Sequence, residues 1–154
     1  MKISSHITYK EATNSKTALK KGIKNRPNRK QLKEMVLVAT KVFEPLRHYF
    51  NDEPIKVTSF FRSRYLNLLI GGSTFSQHCK GQAIDIKAMG TRTNSELFYF
   101  IKNHLEFDQL IWEFGDTNNP CWVHVSYRKG KNRGQVLKAY RNFKGKTKYI
   151  KYSK

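Results

Sequence analysis

Ser76-Gln-His-Cys-Lys-Gly-Gln-Ala-Ile-Asp85-Ile86 is the stretch on which the fold turns. Successive side chains of an extended strand leave on opposite faces, so Ile84 and Ile86 point to a core and Asp85 points away from it. A second stretch, Trp122-Val-His-Val-Ser126, repeats the pattern, with Val123 and Val125 on one face and Trp122, His124 and Ser126 on the other. Two such strands can bring Asp85 and His124 together on one sheet face. His78 would reach them from the loop before its strand, where Gly81 permits a tight turn.

Outward from these strands the chain reads as mixed helix and strand. Asn14 or Ser15 is placed to cap a short helix over Lys16–Lys21, which Gly22 ends. From Gln31 the residues Leu32, Met35, Val36, Ala39, Val42, Phe43, Leu46 and Phe50 recur at spacings of three and four, the stripe of an amphipathic helix. Pro45 lies inside it and should kink the helix or mark its last turn. Strands are expected over Ile55–Ser59, Gln82–Ala88, Asp108–Phe114 and Cys121–Tyr127, the last two as an antiparallel hairpin across Gly115–Pro120. Arg62 to Ile70 reads as a helix, and Thr93 with Glu96 has capping-box spacing for another over Asn94–His104. The Lys-, Arg- and Tyr-rich remainder admits short strands or a helix near Gln135–Tyr140. The expected architecture is α+β: a small antiparallel sheet carrying the site, with helices behind and beside it.

The chain has 154 residues, of which 38% are hydrophobic and 13% aromatic, enough for a packed core and too many for pervasive disorder. Its apolar runs fall far short of the ~20 residues that span a bilayer. Its N-terminus lacks the apolar centre of a secretory signal, so the expected location as synthesised is the cytoplasm. Cys79 and Cys121 read as free thiols. The net charge of +19 suggests a polyanionic partner. Its distribution says more. Residues 1–33 carry ten basic residues and one acidic, residues 34–116 nine and ten, and residues 117–154 eleven and none. No zinc-finger, RNP-like or basic-heptad pattern appears, so no specific nucleic-acid module is expected.

Two imidazoles, one carboxylate and an open position describe a catalytic zinc site, although the same three ligand types also serve iron(II) oxygenases. The wider pattern is more specific. Ser76-x-His78-x-x-Gly81-x-Ala83-x-Asp85, followed by Trp122-x-His124, resembles the zinc D-alanyl-D-alanine peptidases and their endolysin relatives, the M15-like peptidases. So do Pro45-Leu-Arg47, Val57-Thr-Ser59, Arg62-Ser63, Asn67, Ile70-Gly-Gly-Ser73 and Asp108-Gln-Leu-Ile-Trp-Glu113. The resemblance covers roughly residues 5–135 and implies a hedgehog/DD-peptidase-like fold. Residues 1–135 are read as that domain, and 136–154 as a basic C-terminal extension that either stands apart or belongs to it.

The resemblance implies that His78, Asp85 and His124 hold one zinc ion. It implies that Arg62 binds a substrate carboxylate or carbonyl, that Ser76 and Gln77 hydrogen-bond near the scissile bond, and that Trp122 walls the pocket. Many relatives place a general base three residues before the last ligand, where this chain has Cys121. Glu113, on the other arm of the hairpin, is the preferred base, on the face opposite Trp112 and Phe114. Cys79 is read as a buried thiol, and Asp108 and Asp116 as turn or hairpin-end residues.

The implied activity is hydrolysis of a peptide bond in the stem or cross-bridge of bacterial peptidoglycan, as a D-Ala-D-Ala carboxypeptidase or an L-Ala-D-Glu endolysin, phage- or prophage-encoded. The basic flanks would then favour anionic cell-wall polymer. The rival reading is a non-catalytic wall-binding or virion structural protein that keeps the fold, and Cys121 is the residue that sustains it.

Overall fold

Capping chemistry sets the helix boundaries. In the computed structural model, which describes residues 1–154, α1 (Tyr9–Thr13) is followed by α2 (Lys16–Lys21). The Ser15 side chain accepts a hydrogen bond from the Ala18 backbone N–H at the start of α2, and Gly22 ends it in the left-handed conformation, φ 65°. α3 (Arg29–Val38) opens with a reciprocal Asn28–Gln31 capping box. It runs into a π turn at Ala39–Phe43 and then α4 (Glu44–Tyr49), with Pro45 in the first turn. Proline lacks an N–H, and its ring collides with the carbonyl four residues back. The wider π turn accommodates that defect without ending the helix.

α5 (Arg64–Leu69) is shorter than the sequence suggests, because the Ser63 hydroxyl caps it and leaves Arg62 in the preceding loop. α6 (Asn94–His104) starts at the expected Thr93–Glu96 capping box.

Six strands form one sheet: β1 (Ile55–Ser59), β2 (Ala83–Ala88), β3 (Gln109–Glu113), β4 (Trp122–Ser126), β5 (Gln135–Arg141) and β6 (Thr147–Lys151). Their spatial order is β1-β2-β4-β3-β5-β6. The sheet is mixed where an antiparallel one was expected, since β5 pairs with β3 in parallel. The chain leaves β4 beside the start of β3 and steps over that end to run along its other edge. β4 and β5 are therefore antiparallel to each other, so the short connection 127–134 suffices. The ambiguous segment near Gln135–Tyr140 is strand, and β6 closes a hairpin on it.

Behind the sheet, Ile84, Ile86, Leu110, Trp112, Val123 and Val125 are buried against Met35, Val38, Ala39, Val42, Phe43 and Leu46, and against Leu97, Phe98 and Ile101 of α6. Burying each large apolar side chain contributes about 1.5–3 kcal/mol, so this layer fixes which sheet face is left for chemistry. Val36 departs from the expected stripe. It is 40% exposed, while Val38 takes the inward place. No helix is long and apolar enough to cross a membrane.

Candidate metal centre

β2 and β4 lie side by side with Asp85 directly opposite His124. His124 Nδ1 is 2.8 Å from Asp85 Oδ1. His78 arrives from the 3₁₀ turn Gln77–Lys80, and its Nε2 lies 3.3 Å from Asp85 Oδ2. Gly81 ends that turn at φ 73°, and a Cβ there would stand 2.6 Å from the Gln31 carbonyl oxygen, so both the turn and its packing on α3 require glycine.

His78 Nδ1 is 2.7 Å from the Phe60 carbonyl oxygen. A carbonyl only accepts, so Nδ1 carries the proton and Nε2 presents its lone pair to Asp85 and His124. That Nε2 is buried and has no hydrogen-bond partner. Burial lowers the pKa of His78, which keeps the ring neutral, the form that binds metals. Burial alone would raise the Asp85 carboxyl, but His78 and His124 override it and hold Asp85 well below the usual carboxylate range. One ligand atom from each of the three residues lies within 4.8 Å of the others. Two imidazoles and a carboxylate converging around the orphaned lone pair of His78 fit a divalent cation such as zinc.

Glu113 stands on the same sheet face, opposite Trp122 in the β3–β4 pairing. It is 7% exposed. Burial raises its pKa to about 7, with Asp85 adding to the rise and His124 and Arg62 opposing it. The strand pattern breaks just beyond it. Phe114 has φ 58°, which turns its ring back against Trp122, 5.3 Å between centroids, so it does not take the opposite face expected from alternation.

These groups share one cleft of about 870 Å³ with the four expected substrate residues. Arg62 lines it with its buried Nε unpartnered. Ser76 and Trp122 line it as well, and so does Gln77, although the Gln77 amide nitrogen donates to Asp108 Oδ2 at 3.0 Å. Cys79 is buried, and that burial raises its thiol pKa against the pull of Arg62 and Arg64, which leaves it a poor nucleophile. Cys121 is exposed.

Two features were not legible in the sequence. Asp108 is fully buried rather than a simple hairpin-end residue. It accepts from Arg128 Nη2 at 2.9 Å and from Arg133 Nη2 at 2.8 Å, and both arginines reach the cleft. The C-terminal hairpin β5–β6 also forms a wall of the cleft, through Leu137, Arg141, Thr147 and Tyr149. A pairing of Asp108 with Arg128 and Arg133 leaves no local signature, and β6 has no apolar alternation to announce a buried face.

The sequence model of the peptidase M15 family matches residues 5–126, and so takes in all three candidate ligands and Glu113. No curated protein matches the chain.

Proposed function

The chain belongs to the peptidase M15 family, and we propose that it is a zinc-dependent peptidase cleaving a peptide bond in the stem or cross-bridge of bacterial peptidoglycan. The observation that carries this reading is a buried carboxylate with a pKa near 7, Glu113, in one cleft with the converging His78–Asp85–His124 group. Zinc bound there would supply Lewis acidity to polarise the scissile carbonyl and to acidify water.

Glu113 is suited to take the proton of the attacking water and to return it to the leaving amine, since a base near the working pH does both. Arg62 offers a guanidinium whose buried Nε is unpartnered to a substrate carboxylate. Trp122 and Phe114 pack on each other and together give the cleft an aromatic wall. Lys80, Arg128, Arg133 and Arg141 make its lining cationic, which favours acidic peptides such as those carrying D-glutamate.

The test is incubation with purified peptidoglycan, with and without chelator, and mass spectrometry of the released fragments. Free D-alanine would identify a carboxypeptidase, and a new D-glutamyl amino terminus an endopeptidase. Asp85→Ala should abolish both the release and any rise in Tm on adding zinc. Failure of every wall type to give chelator-sensitive release would refute the enzyme reading in favour of a binding protein.

A further inference from the structure

We propose that Tyr149 is a catalytic residue of this site, its phenol O–H donating a hydrogen bond to the scissile carbonyl oxygen as that oxygen gains negative charge. The inference rests on the peptidase reading above, but it concerns a part of the chain that lies beyond the family match, which ends at residue 126.

Strand register carries the argument. Trp122 pairs with Glu113 across β4 and β3, Glu113 with Ala139 across β3 and β5, and Ala139 with Tyr149 across β5 and β6. Paired residues share a sheet face, so Trp122, Glu113, Ala139 and Tyr149 form one row over four neighbouring strands. Strands lie about 4.8 Å apart, which puts the backbones of Glu113 and Tyr149 about 10 Å from each other. The intervening residue is fully buried and contributes only a methyl group. The tyrosine ring can therefore lean across Ala139 toward the carboxylate, and Tyr149 lines the same cleft as His78, Asp85 and His124.

The charges on Glu113 and Asp85 both reach the phenol, after burial, in raising its pKa, so at neutral pH it keeps its proton and is a donor. The hydroxyls of Tyr99 and Tyr152 bond each other at 2.6 Å, whereas that of Tyr149 has no partner within the protein. A donor within reach of developing charge acts more strongly on the transition state than on the bound substrate. The row thus gives the site a proton carrier and an oxygen-binding group two strands apart on one face of the sheet, with only Ala139 between them.

Tyr149→Phe removes only the hydroxyl from a half-exposed edge-strand residue, so the variant should fold with an unchanged Tm. On a soluble stem peptide kcat should fall about 100-fold, with KM within a few-fold of wild type. By calorimetry, its affinity for a phosphinate peptide, whose tetrahedral phosphorus carries the extra oxygen, should drop at least tenfold. Binding of the product peptide should stay unchanged. If Tyr149→Phe keeps both kcat and phosphinate affinity while Tyr149→Ala raises KM, Tyr149 only stacks on substrate and the proposal is overturned. A wild-type protein with no hydrolytic activity on any stem peptide would overturn the peptidase reading and this inference together. Wild-type activity with an unaffected Phe variant overturns this one alone.

Discussion

Glu113 sits where burial and Asp85 disfavour its charge while His124 and Arg62 favour it, and the balance leaves its pKa at about 7 against an ordinary 4.5. A carboxyl whose folded pKa is raised stabilises the fold fully below its unfolded value and loses that contribution as pH climbs through the folded one. In metal-free protein, ionising Glu113 between roughly pH 4.5 and 7 should therefore cost up to about 3 kcal/mol, at 1.36 kcal/mol per unit. Glu113→Gln should match wild type in urea unfolding at pH 4 and exceed it at pH 8. Parallel stability curves across that range would refute the buried-carboxylate account. The same substitution should lower hydrolysis by about 10²–10⁴-fold if Glu113 moves the proton. At this scale much was legible. The positions of His78, Asp85 and His124 follow from side-chain alternation and one glycine turn, and the structure brings them together. Phe114 was misplaced, because a single left-handed residue reverses the face and alternation cannot anticipate it. Tyr149 went unseen because every residue of β6 is exposed, so its Thr-Lys-Tyr-Ile-Lys pattern carries no burial signal.

Among the elements, the connection from β4 to β5 shows how a buried charge can set topology. Asp108 N–H donates to Ser126 O, Gln135 N–H to Asp108 O, and Gly134 N–H to Phe107 O, so the start of β3 is gripped by both neighbouring strands. The carboxylate then gathers the backbone N–H and guanidinium of Arg133 and the guanidinium of Arg128 from the loop that steps over it. Burial opposes ionisation, but the hydrogen bonds from Arg133 and Arg128 prevail and hold its pKa at about 2. Removing one partner of a buried ion pair costs about 3–5 kcal/mol, and the half-exposed arginines can rehydrate, so Asp108→Ala should lie near the lower end, about 3 kcal/mol. A loss under 1 kcal/mol in urea unfolding would show that the loop holds its path without the carboxylate. Element boundaries were legible at the caps of Ser15, Thr93 and Gly22, whereas the Ser63 hydroxyl starts α5 later than the Arg62 expected. The parallel β3–β5 pairing was not, because it is fixed by partners 20 and 25 residues from Asp108 in a stretch that resembles a solvated charge run.

For the molecule as a whole, part of the +19 charge lies on the hairpin that walls the cleft. The hairpin that carries Tyr149 also carries Lys144, Lys146, Lys148 and Lys151, all exposed, and Arg141, whose guanidinium stands 5.0 Å from the Phe114 ring centroid at the cleft edge. Deleting residues 136–154 would remove two strands and a wall of the site, so such a truncation should abolish turnover along with any wall binding. Charge can be separated from architecture by Lys144→Gln, Lys146→Gln and Lys148→Gln together, none of which lines the cleft. Exposed charges act over a Debye length of about 10 Å at 0.1 M salt and about 3 Å at 1 M. The triple variant should therefore bind purified walls more weakly than wild type at low salt and equally at 1 M. Its hydrolysis of a short soluble peptide should stay unchanged at both, because that substrate meets the cleft and not the lysines. Equal wall retention of variant and wild type at low salt would mean that the attraction resides in the N-terminal flank or in the cleft's own arginines, and that the hairpin serves the chemistry alone.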